Sequence, residues 1–303
     1  MASMLEFRTQ GFNPYAVKYS PYYDSRIAVA SSANFGIVGN GRLFALGLSA
    51  QGIQVEKSFD TNDALYDLAW SEINENQLVV ACGDGSIKLF DLGVNDFPVM
   101  NFHEHKRETF AVCWNPVTKD SFVSSSWDGT WSPTRNQSIT TLPIGNCTYS
   151  TSFCPSNPAL ISAASTDSHL RIYDLRTPPS AKYHLVVIRT FDIRNPAGGP
   201  LSVMPGHEYA VRKLAWSPHA SDVLISASYD MTVRLWSDGS MQQSAMNPGG
   251  GPSVGRQLGV MNRHTEFATG VDWCLFGMGG WVASVGWDER VLLWDSNMLM
   301  AGR

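Results

Sequence analysis

The stretches SASYDMTVRLW (226–236) and SVGWDERVLLWD (284–295) decide the fold. Each runs from small residues through an aromatic and an Asp into a β-rich segment closed by a Trp six residues after the Asp. The same unit returns as ACGDGSIKLFD (81–91) and AASTDSHLRIYD (163–174), again with the aromatic six residues on, and as SSSWDGTW (124–131) with a shorter spacing. Ahead of each unit stands a second strand ending in a large aromatic: LYDLAW (65–70), TFAVCW (109–114), YSTSF (149–153), VRKLAW (211–216) and ATGVDW (268–273). Three units open with a His, at 105, 207 and 264, each 23 or 24 residues before its Asp. Short strands, turn residues and a period of about 40 predict four-stranded blades of a WD-repeat β-propeller. The fold class is therefore all-β, seven-bladed in the parent pattern, here with six recognisable blades and a truncated one.

A degenerate copy precedes these: AVKYSP (16–21), RIAVASS (26–32) and GRLFALGL (41–48). Little sequence follows Trp294, so LEFRTQ (5–10) is expected to supply the outer strand of the last blade. That arrangement makes 1–303 a single domain and removes open sheet edges.

Composition narrows the function classes. The 303 residues are 44% hydrophobic and 16% charged, with 10 Trp, 10 Tyr and 14 Phe. This is a globular composition, outside the disordered class. The net charge of −5 disfavours nucleic acid, which requires clustered Lys and Arg, and suits a basic peptide. The five cysteines form no C-x-x-C pair, so no metal site is expected, and no cofactor. No apolar run reaches the ~18 residues of a membrane span, and MASMLEFRTQ (1–10) has no signal-peptide h-region, so no direct membrane insertion is expected.

His264, Ser284 and Asp288 fall within one unit, and His207, Ser226 and Asp230 within another. These could be taken for catalytic triads. A triad does not recur once per repeat, however, and no Gly-x-Ser-x-Gly elbow is present. The reading preferred is a buried tie in each blade: the turn Asp accepts from His, and Ser and the closing aromatic N–H fix the His. His105 and Asp128, and the closing Trp236 and Trp294, belong to the same set. The chain is expected not to be an enzyme. Gly250-Gly-Pro-Ser-Val-Gly255-Arg256 has the glycine spacing of a phosphate loop but neither its Lys-Ser/Thr nor a following helix.

The repeat breaks twice. Asp128 to Trp131 is three residues, so the third strand of that blade is expected to lose its length and alternation. Tyr173 and Phe191 both end strands of one type yet lie only 18 residues apart, leaving room for one outer strand, KYHLVVI (182–188). RTFD (189–192) then reads as the stump of a blade whose front half is absent, and 182–192 can run on as one long strand. The damaged region is placed around 131 and 182–200, as deletions from a seven-bladed parent.

The segments ANFGIVGNGRLF (33–44), DALYDLAWSE (63–72), GHEYAVRKLAWSPH (206–219) and HTEFATGVDW (264–273) resemble the receptor family for the type 2 peroxisomal targeting signal, the seventh peroxin, in its filamentous-fungus form. The resemblance covers nearly the whole chain. It implies a receptor cycling between cytoplasm and peroxisomal matrix. Such a receptor binds an N-terminal helix of the form Arg/Lys–Leu/Val/Ile–five residues–His/Gln–Leu/Ala. Its partners are cargo carrying that signal, a co-receptor peroxin and the peroxisomal docking complex.

The residues agree with a basic helical ligand. The loops entering the innermost strands and the Asp turns share one face, which is expected to carry Asp63, Asp67, Glu104, Glu108, Glu208 and Glu266. Trp127, Tyr229 and Trp287 precede the turn Asp, and Tyr66, Tyr149, Tyr209 and Phe267 lie on the same side. An aromatic floor with an acidic rim suits an amphipathic helix. By their match to acidic positions of the family, Asp63, Asp67 and Glu108 lead the ligand candidates, followed by Trp127 and Trp287. A generic WD scaffold for another complex, or an isoform without receptor activity, stays open beside this reading.

Overall fold

A computed structural model describes residues 4–94, 96–103, 105–134, 142–143, 146–166, 169–176, 181–184, 188–191, 200–239, 253–277 and 279–300. The strands, in chain order, build seven sheets among these residues, antiparallel but for one parallel pairing. They are distributed over two compact units, Thr9–His184 and Met1–Arg8 with Leu185–Arg303.

The strand β1 (Met4–Arg8) belongs to the second unit and is taken up below. In the first unit, β2 (Asn13–Tyr19), β3 (Arg26–Ser32), β4 (Gly41–Ser49) and β5 (Gly52–Thr61) form one four-stranded sheet. The next holds β6 (Leu65–Trp70), β7 (Gln77–Cys82), β8 (Ser86–Asp91) and β9 (Met100–His103). The third holds β10 (Thr109–Trp114), β11 (Phe122–Ser126), β12 (Thr130–Thr134) and β13 (Leu142–Pro143). The fourth holds β14 (Thr148–Cys154), β15 (Asn157–Ser165), β16 (His169–Asp174) and β17 (Ala181–His184).

Second strands such as RIAVASS and QLVVAC are buried almost throughout; in QLVVAC, Leu78 and Val80 pack on the sheet before and Val79 and Ala81 on the sheet after. Small and β-branched residues permit that double packing. Ala16, Ala28, Leu43 and Phe59 of the first sheet thus meet Leu68, Trp70, Val80 and Phe90 of the second. A fully buried Leu or Phe is worth roughly 1.5–3 kcal/mol. Outer strands face water more: β9 buries only Phe102.

The second unit begins with β18 (Ile188–Phe191), β19 (Pro200–Met204) and the two-residue β23 (Ser253–Val254), the last parallel to β19. A four-stranded sheet follows from β20 (Val211–Trp216), β21 (Val223–Ser228), β22 (Val233–Ser237) and β24 (Arg256–Met261). The last has β25 (Ala268–Trp273), β26 (Trp281–Gly286), β27 (Arg290–Asp295) and, at its edge, β1, with Met4 opposite Trp294. The architecture is all-β, of the WD propeller class: six sheets of four strands and one of three among the described residues.

Two readings of the breaks need correction. β12 is not cut short: it runs for five residues, of which 131–134 pair with β11 in unbroken register, Ser125 opposite Trp131 and Phe122 opposite Thr134. A ladder needs only extended backbone, so Ser132, Pro133 and Thr134 slide into the strand. What is lost is the aromatic position, since Thr134 takes the register place that Phe90, Trp236 and Trp294 hold elsewhere. Nor does 182–192 form one strand. β17 pairs with β16, whereas β18 pairs with β19 in another sheet. The stump itself is two outer-type strands, with no strand beside the other edge of β18 among the described residues.

Candidate functional site

The hairpin between second and third strands is built the same way in each complete repeat. Asp84, Asp128, Asp230 and Asp288 each accept from the backbone N–H two residues on, at 2.9, 2.9, 3.0 and 3.3 Å. The residue after the Asp is left-handed: Gly85, Gly129, Met231 and Glu289, with φ between 61° and 85°. This side-chain-closed turn fixes the carboxylate beneath the loop.

The expected ties are present, with one change of geometry. His207 Nδ1 lies 2.7 Å from Asp230 Oδ2, and Nε2 lies 2.6 Å from Ser226 Oγ. The Trp236 indole donates to that same Oγ at 2.8 Å, so it reaches the His only through the Ser. His264, Asp288, Ser284 and Trp294 repeat this at 3.1, 3.0 and 3.1 Å. His105 meets Ser124 at 2.9 Å and Asp128 at 3.3 Å. Ser124, Ser226 and Ser284 are wholly buried, so none of these hydroxyls can meet a substrate. Burial disfavours the Asp230 carboxylate, but Thr232, His207 and backbone donors outweigh it and hold the group at about 2.

A second regularity was invisible in the motif. Each inner strand carries a β-bulge four residues before its closing aromatic, at Tyr15, Tyr66, Phe110 and Tyr149 in the Thr9–His184 unit. A bulge re-aims one side chain out of the pleat. Here it turns four rings into a continuous file. Tyr15 meets Tyr66 edge-on at 5.2 Å, Tyr66 stacks on Phe110 at 4.8 Å, and Phe110 stacks on Trp127 at 5.1 Å. Tyr149 closes the file against both Phe110 and Trp127. Sequence reasoning found Tyr66, Trp127 and Tyr149 but missed Tyr15 and Phe110. The aromatic pairs 15/19, 66/70, 110/114 and 149/153 were the available signal.

Acidic groups flank this file. Asp63 stands three residues before Tyr66 and Glu108 two before Phe110, whose ring stacks on that of Tyr66; burial, then the charges of Glu108 and Asp63, push the Tyr66 hydroxyl up to about 12. Glu108 is partly exposed and pairs with Arg107 at 3.4 Å; the Arg107 guanidinium lies over Trp127. Asp63 is half-buried, its carboxylate accepting from the Ala64 N–H at 2.8 Å. Asp67 departs from the expected rim. It is 3% exposed within β6 and accepts from the Val112 N–H at 3.3 Å, because alternation in an inner strand turns it into the interior. Glu104 lies outside the described residues.

In the other unit, Tyr229, Phe267 and Trp287 form a separate trio with centroids 4.7–6.3 Å apart. The backbone N–H of Trp287 donates to the Phe267 carbonyl and that of Tyr229 to the Ala210 carbonyl, fixing the turns that carry these rings. Glu208, Glu266 and Tyr209 are exposed near them in sequence, Tyr209 the most open of the candidates at 67%. No cluster able to hold a metal ion occurs among the described residues, and no helix there is long and apolar enough to cross a membrane.

Stacked sheets, buried His–Asp–Ser ties and side-chain-closed turns define a WD-repeat protein, and the WD domain, G-beta repeat family profile matches residues 198–237. The peroxisomal targeting signal 2 receptor of Saccharomyces cerevisiae is 36% identical over 372 aligned residues, covering 96% of this chain and 99% of that protein. Peroxisome biogenesis protein 7 of Arabidopsis thaliana is 39% identical, covering 95% and 96%, and the Mus musculus peroxisomal targeting signal 2 receptor 35%, covering 97% and 98%. The chain belongs to the peroxisomal targeting signal 2 receptor family. The 372-residue alignment is longer than the 303 residues here, so the yeast relative carries stretches that this chain lacks.

Proposed function

We propose that this chain is a receptor for type 2 peroxisomal targeting signals, taking the signal as a basic amphipathic helix at the Asp63–Tyr66–Glu108 side. The observation that carries the reading is that Asp63 and Glu108 stand on the approaches to successive inner strands, next to Tyr66 and Phe110, whose rings stack at 4.8 Å. An Arg or Lys of the signal gains charge-assisted hydrogen bonds there. Trp127 and Tyr149 extend the surface, and Tyr209, Tyr229, Glu266, Phe267 and Trp287 are the contacts proposed in the other unit. The receptor works with a co-receptor peroxin, hands cargo to the peroxisomal docking complex, and moves between cytoplasm and matrix without chemistry of its own.

A pull-down with a type 2 signal peptide and with its basic residue changed to Glu tests this. Retention of the first and loss of the second is expected; equal retention of both would remove the receptor mechanism. A scaffold role in another complex draws support from one feature, the exposed Leu214 and Trp216, and it predicts equal retention.

A further inference from the structure

At the Tyr15–Tyr66–Phe110 end the aromatic file has little free apolar surface: Tyr15 and Phe110 are 6% exposed and Tyr66 9%, against 38% for Tyr149 at the other end. The exposed apolar atoms of this side lie in the loop 33–40, where Phe35, Ile37 and Val38 are 47%, 81% and 71% exposed. That exposure is built in. Asn34, Phe35 and Gly36 are successively left-handed, at φ 49°, 57° and 69°. Left-handed backbone at a bulky residue costs of order 1–3 kcal/mol and persists only where the surroundings impose it.

The surroundings impose it here. The Tyr15 hydroxyl donates to the Phe35 carbonyl at 2.6 Å and the Tyr66 hydroxyl to the Gly36 carbonyl at 3.1 Å. Asn13 Oδ1 accepts from the Phe35 N–H at 2.9 Å, and the Ala33 N–H closes the base on Asn40 at 2.8 Å. A Cβ on Gly36 would lie 2.9 Å from the Tyr15 hydroxyl, so only Gly fits.

Tyr66 thus joins two surfaces: its hydroxyl holds the apolar loop, and its ring stacks on Phe110, with Asp63 and Glu108 on the strand approaches that carry these two rings. We infer that the loop tip, Ile37 and Val38 with Phe35, is the specificity surface for the apolar face of the same basic helix. The loop reads the aliphatic residue next to the signal's Arg or Lys while the carboxylates take the charge. The occupant is fixed by this pairing of apolar tip and acidic neighbour, since a purely apolar partner has no use for the carboxylates. The inference rests on the receptor reading above.

The test is fluorescence anisotropy of the full chain with a labelled peptide of the form Arg-Leu-five residues-His-Leu, and with its first Leu changed to Ser. The double variant Ile37→Ser/Val38→Ser is expected to weaken the Leu peptide about tenfold. It should barely alter the already weak Ser peptide, leave the salt dependence of binding unchanged, and melt like the parent chain. Ile37→Leu should retain binding, and Glu108→Gln should weaken both peptides alike. Unchanged affinity in the double variant, with Glu108→Gln still weakened, overturns the loop assignment and leaves the receptor reading standing. Absence of binding to the unaltered chain overturns both.

Discussion

The indole N–H of Trp273, at the end of one inner strand, donates to the carbonyl of Ala215 in the inner strand before it, at 3.1 Å. Trp70 makes the same bond to Lys18, also at 3.1 Å. In these two strands the closing Trp is therefore a tie between sheets as well as core filling, whereas the Trp114 indole donates to the Lys119 carbonyl five residues on. Trp216 occupies the same strand position but is 51% exposed, against 5% for Trp70 and 4% for Trp273. Among the described residues, the sheet that should precede its own, β18–β19–β23, has no inner strand to receive it. The missing half-blade is thus felt at a particular residue.

Trp70→Phe and Trp273→Phe should each cost about 1 kcal/mol, the net worth of a buried hydrogen bond, together with some packing. Trp216→Phe should cost almost nothing. Urea unfolding midpoints check this; a Trp216→Phe loss as large as that of Trp273→Phe would mean that the exposed indole is tied elsewhere. Replacing Trp216 and its exposed neighbour Leu214 by Lys should reduce aggregation on heating without lowering the midpoint, because surface apolar area is removed and no core contact is lost.

Ser226 accepts from the Trp236 indole and faces His207 Nε2, all within a buried cluster. Ser226→Ala leaves both nitrogens without that partner. Stranded buried polar groups cost about 1–3 kcal/mol each, so a loss of about 2–4 kcal/mol is expected by urea denaturation. The same change on an exposed hydroxyl such as Ser49 should be neutral within about 0.5 kcal/mol.

Much of this was legible in the chain. The Asp-to-aromatic spacing of six and the His-to-Asp spacing of 23 or 24 gave blade, turn and buried tie, because those contacts are local and recur. Asp67 was misjudged because the motif says which residues open a strand and not which face each one takes. The file of rings was missed for a related reason. A bulge at Tyr66 or Phe110 is a backbone event that shifts the alternation by one, and nothing at a single position announces it. The short spacing after Asp128 misled in the opposite direction, since a missing aromatic was taken for a shortened strand.

Gly36→Ala should unlock the loop. The new methyl must displace the Tyr15 hydroxyl, and the alanine must hold a φ of 69°. A stability loss of about 1–3 kcal/mol is the ceiling, since the loop can instead relax away. Backbone amides of 33–40 should then exchange faster by hydrogen–deuterium mass spectrometry, with β6 to β8 unaffected. Slow exchange in the variant loop would show that the two tyrosine hydroxyls are not what holds it.

The direction of the hydrogen bonds through Ser226 sets a pH dependence. The Trp236 indole can only donate, so the Ser226 hydroxyl is free to point its own hydrogen at His207 Nε2, and Nδ1–H then faces Asp230. That chain requires a neutral imidazole: a proton on Nε2 would set two donors against one hydroxyl. Burial depresses His207 below its ordinary 6.5, with Asp230 opposing but not reversing the shift. The unfolded chain therefore binds a proton first as pH falls through 6.5, and stability drops from there. Asp230, held at about 2 against an ordinary 3.8, adds stability that is full above 3.8 and is lost between 3.8 and 2. Both groups act in the same sense, so the melting midpoint should fall in two steps on acidification, the first below pH 6.5 and the second below pH 3.8. His207→Gln should flatten the first step, and Asp230→Asn should remove part of the second. A midpoint that rises from pH 7 to pH 5 would show that His207 is charged in the folded chain and that the relay runs the other way, and a constant one that folding leaves its proton affinity unchanged.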